Sequence, residues 1–154
     1  MYKKIVISPW SKKLRNDGFN SKNYPYWNKL VKKLKNAGAY VIQIGVEGEP
    51  SIDADEFLKD RTITQLKEII LSSDIWISVD NFLPHFCNLL GKRGIVIFGK
   101  SNPDIFGYPQ NLNILKDRKY LRQNQFDIWE SESYEPIVFL SADEIFKLIE
   151  LDNQ

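Results

Sequence analysis

Four short apolar segments, rich in β-branched residues, alternate with segments of helical periodicity, and this alternation limits the possible folds most. The four segments are residues 5–7, 40–44, 75–79 and 94–98. Each is apolar almost throughout, which is typical of strands that are buried on both faces of a sheet. Right-handed crossovers between such strands build a parallel sheet with helices on both faces. We therefore predict an α/β fold of the Rossmann-like type.

The helical segments fall between and after the predicted strands. Apolar residues recur at helical spacing before Gly38, over residues 63–72, and over a short segment that begins at 82 or 84 and ends at 90. A terminal helix is expected after Ser141, because Ser141 and Glu144 match a capping box. The order of elements is thus strand and helix in alternation.

We expect a single domain over residues 1–154, since this length suits one hydrophobic core. Its core is predicted at about 4–107. A loop-rich tail, 108–140, follows, with one short strand expected near 137–139. A terminal helix is expected over 141–150.

Composition excludes several classes of protein. No apolar run approaches the roughly 20 residues that span a bilayer, and the N-terminus does not resemble a signal peptide. The one cysteine, Cys87, permits no internal disulfide, which favours a reducing compartment. We therefore expect a cytoplasmic chain with no membrane span.

Charge is distributed unevenly along the chain. Residues 1–40 carry ten basic side chains and one acidic one, whereas residues 41–90 carry three basic and nine acidic ones. The acidic middle argues against a nucleic-acid partner. The lysines of the first helix are interpreted as a solvated surface. Aromatic residues such as Trp10 and Trp129 are interpreted as core or lid packing.

Sheets of this kind bind ligands at the carboxyl ends of their strands. That rule selects the segments 8–22, 45–49, 80–85 and 99–103, and all four contain polar clusters. The first segment places hydroxyl groups and cations where a helix N-terminus also favours an anion. It is read equally well as a phosphate site or as a mobile basic loop.

The other three segments leave alternatives open. Glu49 suits a ribose hydroxyl or a solvated acidic turn, and Asp80 suits a ligand contact or a helix cap. His85, the one histidine, suits a phosphate contact or a structural role, and Ser101 lies in a segment that also reads as a turn. No spacing resembles a metal site, a phosphate-binding glycine loop or a dinucleotide fingerprint, so no metal or cofactor is predicted.

In this order, the segments resemble the C-terminal half of glycosyltransferase family 9, the heptosyltransferase-like enzymes of the GT-B fold. The resemblance rests on residues 22–27, on Gly45 with the acids after it, on 78–80 with the later His85, and on 98–103. It implies a single GT-B half-domain.

In that family this half binds the nucleotide sugar. The resemblance therefore implies phosphate contacts for Ser8, Lys12 and Lys22 and a ribose contact for Glu49. The substrate-binding candidates are Ser8, Lys12, Lys22, Gly45, Glu49, Asp80, Asn81, His85 and Ser101.

The resemblance also implies that Asp80, Asn81 and His85 line the diphosphate and sugar side. The family usually has Thr-Gly after the aspartate, whereas this chain has Asn81 and Phe82. Phenylalanine restricts the close approach of backbone to phosphate that glycine permits.

The resemblance leaves two functional hypotheses. The first is a glycosyltransferase domain that binds a nucleotide-diphosphate sugar. The chain has no room for the family's acceptor domain, so the catalytic base must come from a partner chain, from a second copy, or from a carboxylate such as Asp80 or Glu49. The alternative is a non-catalytic module that binds or sequesters a nucleotide. A structural domain with a degenerate pocket is a third reading.

Overall fold

Six parallel strands form one sheet in the order β3-β2-β1-β4-β5-β6 in the computed structural model, which describes residues 1–154. The chain builds one half of the sheet outward from β1, then returns to the other side of β1 and continues outward from β4. This topology confirms the α/β, Rossmann-like prediction. The strands are β1 (Lys4–Ser8), β2 (Tyr40–Gly45), β3 (Glu56–Lys59), β4 (Ile75–Val79), β5 (Ile95–Phe98) and β6 (Leu112–Leu115).

Helices cover the sheet, and their ends follow local capping chemistry. Thr62 and Gln65 form a capping box before the second helix, and Ser141 and Glu144 form the one predicted before the last helix. None of the helices has the length and apolar character needed to cross a membrane. The helices are α1 (Trp27–Asn36), α2 (Ile63–Leu71), α3 (Phe82–Leu90), α4 (Pro103–Phe106) and α5 (Ala142–Asp152).

Three strand assignments differ from the sequence predictions, and the short helix α4 was also not predicted. The edge strands β3 and β6 were not predicted, because each has only four residues and neither is continuously buried. The strand expected near 137–139 was wrong: Pro136–Val138 form a 3₁₀ turn. Proline cannot donate to a strand ladder, so Val138 and Phe139 enter the core from a turn instead.

Successive strand residues point to opposite faces of the sheet and fill two separate core layers. On one face, Ile5 and Ile7 pack with the buried sides of α1 and α5. On the other face, Val6 and Trp76 pack with residues of α2 and α3. The central strands are therefore buried on both sides, and their carboxyl ends are held in one row.

The two ends of the chain meet in one polar cluster. Asp152 receives two hydrogen bonds from the guanidinium of Arg93, at 3.0 and 2.8 Å, and a third from the hydroxyl of Tyr2 at 2.7 Å. The pKa of Asp152 is lowered, chiefly by the hydrogen bonds from Arg93. The cluster ties α5 to the start of β1 and to the loop before β5.

We predict that Asp152→Asn lowers the free energy of unfolding at pH 7 by about 1 kcal/mol, because it removes a charge-assisted pair. A carboxyl whose pKa is depressed in the folded state stabilises above its unfolded pKa of about 3.9 and loses that effect as the pH falls further. The difference between the two proteins should therefore shrink below about pH 4 in urea denaturation. Glu150→Gln, on the same helix with no hydrogen bond from its side chain, is the control; an equal loss there would contradict the prediction.

Candidate functional site

A cleft of about 640 Å³ opens at the carboxyl ends of β1, β2, β3 and β4. Its walls come from the loop after β1, from the turns that end β2, β3 and β4, and from the segment 128–130, which precedes α5. Those parts contribute residues within 8–15, 20–22, 44–49, 60–66, 80–82 and 128–130.

Most of the predicted site residues lie around this one cleft. His85 does not line it: the side chain is exposed on α3, and its Nδ1 lies 2.7 Å from the hydroxyl of Tyr108. Ser101 is also outside the lining, buried and with no hydrogen-bond partner for its hydroxyl. A ligand contact for either residue stays a prediction. The predicted residues that line the cleft are Ser8, Lys12, Lys22, Gly45, Glu49, Asp80 and Asn81.

Asn81 joins the end of β1 to the start of α3. Its Nδ2 donates to the hydroxyl of Ser8 at 3.0 Å and to the carbonyl of Ser8 at 3.2 Å. Its Oδ1 accepts from the backbone N–H of Leu83 at 2.9 Å and caps α3. Both ends of the amide are therefore engaged by protein, and Asn81 fixes the geometry of the cleft floor.

The loop after β1 is anchored at several points. The hydroxyl of Ser11 donates to the carbonyl of Asp80 at 2.7 Å, and the N–H of Ser11 donates to Asn23 at 2.7 Å. Asn20 is buried and bridges the carbonyl of Lys12 and the N–H of Lys22, at 2.9 and 3.0 Å. These bonds give the basic loop a defined conformation and set both lysines beside the cleft.

Lys22 and Asp80 form an ion pair at the cleft. Lys22 Nζ lies 3.4 Å from Asp80 Oδ2, and the two side chains are only 21% and 10% exposed. Partial burial strengthens this attraction over that of a surface pair. An ammonium has three donors, so the pair leaves Lys22 able to bind a further acceptor. The sequence left a capping role for Asp80 open; the structure shows that Asn81 caps α3 and that Asp80 pairs with Lys22.

Glu49 folds back over the end of β2. Its Oε1 accepts from the N–H of Val46 at 2.6 Å, while its Oε2 bonds no protein group. Gly45 permits this arrangement, because a Cβ at that position would collide with the carboxylate. The free oxygen is thus available to a hydroxyl group in the cleft.

The segment 128–130, which lines the cleft and precedes α5, was not recognised in the sequence. Ile128, Trp129 and Glu130 reach the cleft because buried Arg122 donates to the carbonyls of Asp127 and Ile128, each at 2.9 Å. Pairs between a side chain and backbone carbonyls have no periodic signal, so sequence spacing did not place this segment at the site.

Four further polar contacts hold the segment. Arg122 Nε donates to Glu132 at 2.8 Å, and buried Lys100 contacts Glu132 at 3.1 Å and Glu135 at 2.6 Å. Glu130 accepts from the N–H of Arg15 at 3.1 Å, and this bond is the main reason that the pKa of Glu130 is lowered. The segment is thereby fastened both to β5 and to the loop after β1.

The cleft contains both signs of charge, with cations slightly in excess. Its acidic side chains are Glu49, Asp60, Asp80 and Glu130, and no group of three or more His, Cys, Asp and Glu side chains is placed to hold a metal ion. An anion in this cleft would therefore be bound by ammonium, guanidinium and N–H groups. The cations are Lys12, Lys13, Arg15, Lys22 and Arg61.

We predict that Asn81→Asp destabilises the protein by about 1–2 kcal/mol in urea denaturation. Aspartate keeps the cap and favours a helix N-terminus, but it replaces the amide donor with an oxygen that faces three oxygens, the hydroxyl and carbonyl of Ser8 and the carbonyl of Trp10. Asn102→Asp, at the cap of α4, is the control, since Asn102 Oδ1 accepts from Asp104 N–H and its amide nitrogen bonds no protein group. A neutral or stabilising effect at Asn81 would show that capping alone matters there.

No protein-family model and no curated protein matches this sequence. The structure does match solved glycosyltransferases. The dodecameric iron-containing glycosyltransferase TibC of enterotoxigenic Escherichia coli is 12% identical, with a TM-score of 0.73 over 100% of this chain and 48% of its own. The glycosyltransferase of family 9 from Veillonella parvula is 15% identical, with a TM-score of 0.71 over 97% of this chain and 45% of its own.

The heptosyltransferase WaaC of E. coli, solved with ADP, is 16% identical, with a TM-score of 0.67 over 97% of this chain and 44% of its own. At these identities the likeness establishes the fold alone. The chain spans a little less than half the length of the structures that it matches. It therefore has a glycosyltransferase-like fold, similar to that of the heptosyltransferases, over that part of their length.

Proposed function

We propose that this chain is a glycosyltransferase-like domain that binds a nucleotide-diphosphate sugar in the cleft. The observation that carries the proposal is the pair of loop lysines, Lys12 and Lys22, held beside the cleft where β1 and β4 diverge. That point is the topological switch of the sheet, where folds of this class bind their ligands. The likeness to WaaC, which was solved with ADP, supports the same ligand class.

The side chains of the cleft divide naturally among the parts of such a ligand. The diphosphate lies against Lys12, Lys22 and the N-terminus of α3, where free N–H groups favour an anion. The ribose meets the free oxygen of Glu49. The sugar extends beyond the cleft lining toward His85, which is exposed one turn into α3.

Transfer would proceed by attack of an acceptor hydroxyl on the anomeric carbon of the sugar. The bond to the diphosphate breaks as the new glycosidic bond forms, and the two lysines stabilise the charge on the leaving diphosphate. The proton of the acceptor goes to a base, which we place in a partner chain or in a second copy of this chain.

One observation favours a second candidate function, nucleotide binding without chemistry. Every carboxylate in the cleft is already engaged by protein. Asp80 pairs with Lys22, and the others accept backbone N–H groups. A carboxylate that already accepts hydrogen bonds has fewer free lone pairs with which to take the proton of an acceptor hydroxyl. Turnover separates the two functions: release of nucleoside diphosphate from a nucleotide sugar with acceptor and partner supplied supports transfer, and tight binding with no release supports sequestration.

Binding is tested by titration calorimetry with ADP, UDP, GDP, CDP and their sugar conjugates. We expect one nucleotide to bind, and Lys12→Ala to weaken it about tenfold, because a charge-assisted contact to phosphate is lost. Lys12 has no ion-pair partner, so this variant should keep its melting temperature. Lys32→Ala removes the same charge from an exposed position on α1, outside the cleft, and is the matched control.

Higher salt should also weaken binding, since the attraction is electrostatic. The proposal fails if no nucleotide binds the folded protein, or if Lys32→Ala weakens binding as much as Lys12→Ala does.

A further inference from the structure

Trp129 stands out among the four tryptophans of the chain. The indole N–H groups of Trp10, Trp27 and Trp76 each donate to a backbone carbonyl, at 2.9, 3.1 and 2.9 Å. The indole N–H of Trp129 bonds no protein group, and the ring is half-buried at the wall of the cleft. An anchoring hydrogen bond therefore does not explain its place.

The ring of Trp129 contacts two positively charged side chains. Lys22 Nζ lies over the ring, 4.8 Å from its centroid, and the guanidinium carbon of Arg122 lies 4.1 Å from the same centroid. Both distances suit attraction between a cation and an aromatic face. The ring is thus a shared contact for one cation of the cleft and one buried cation behind it.

Arg122 is not free to leave the ring, because it is buried and its guanidinium donates to two backbone carbonyls and to Glu132. The same glutamate binds Lys100, which follows β5. The position of Trp129 is therefore set by the body of the protein, and the ring is a fixed surface for the ammonium of Lys22.

We propose that Trp129 is a positioning residue for Lys22, and that it holds the ammonium in place for the phosphate groups of the ligand. Trp129 and Asp80 contact the same ammonium, with the ion pair at 3.4 Å. A free lysine side chain loses much rotamer freedom when it binds an anion. If that freedom is already lost in the unliganded protein, binding the anion costs less. This inference rests on the proposed function, since it assigns a role within the same cleft.

The first part of the test needs no ligand. In the unliganded protein, the ring current of Trp129 should shift the NMR signal of the Lys22 methylene next to the ammonium. Trp129→Leu should abolish that displacement, and Trp129→Phe, which keeps an aromatic face, should retain part of it. A Lys22 signal at the usual lysine position in the unsubstituted protein would overturn the inference.

The second part compares affinities by calorimetry, with the nucleoside diphosphate that binds best among ADP, UDP, GDP and CDP, and with the matching nucleoside. We expect Trp129→Leu to weaken the diphosphate about threefold to fivefold and Trp129→Phe to weaken it less. Neither should change the affinity of the nucleoside. Combined with Lys22→Ala, Trp129→Leu should add no further loss, since the two residues act through one contact.

The outcomes separate the two proposals. If the unsubstituted protein binds none of the nucleotides, the proposed function fails and the role of Trp129 fails with it. If it binds but Trp129→Leu leaves the affinity for the diphosphate unchanged, or weakens nucleoside and diphosphate alike, only the role of Trp129 fails. Melting temperatures of all variants identify any that lose the fold. If Trp129→Leu does not fold, the affinity of Trp129→Phe decides whether Trp129 positions Lys22.

Discussion

The site depends on the hydrogen-bonded junction between β1 and β4. The sheet order makes these two strands neighbours, while the chain leaves them toward different sides of the sheet. A crevice results from that divergence. Asn81 and Ser11 then span it, so that the loop after β1 is tied to the end of β4. The loop that carries the lysines and the cap of α3 take their positions from this junction.

Much of the fold was predictable because buried parallel strands have a strong local signature. β1, β2, β4 and β5 are apolar on both faces, and each was recognised. β3 and β6 were not recognised, because edge strands need only partial burial and carry a weaker pattern. The strand predicted near 137–139 is a turn because of Pro136. The apolar run there resembles a strand, but proline has no backbone N–H to donate to a neighbouring strand.

The candidate site was predictable to the extent that topology alone determines it. Ser8 and Gly45 end their strands and Asp80 directly follows one, and because the carboxyl ends of these strands must lie together, all three line one cleft. Trp129 lies there only because Arg122 and the salt bridges of Lys100 fold the chain back, and such contacts between distant residues leave no spacing in the sequence. Binding of a nucleotide-diphosphate sugar then follows as a proposal from an anchored basic loop in a fold that glycosyltransferases share.

The most direct test of the account is an NMR titration of the four indole N–H signals with nucleoside diphosphates. Trp10 and Trp129 line the cleft, whereas Trp76 is fully buried beneath α2 and α3. Binding in the cleft predicts that one nucleotide shifts the signals of Trp10 and Trp129 in a saturable manner and leaves Trp76 in place. If no nucleotide moves the two cleft signals, or if Trp76 moves as far as they do, the cleft is not the binding site and the central claim is contradicted.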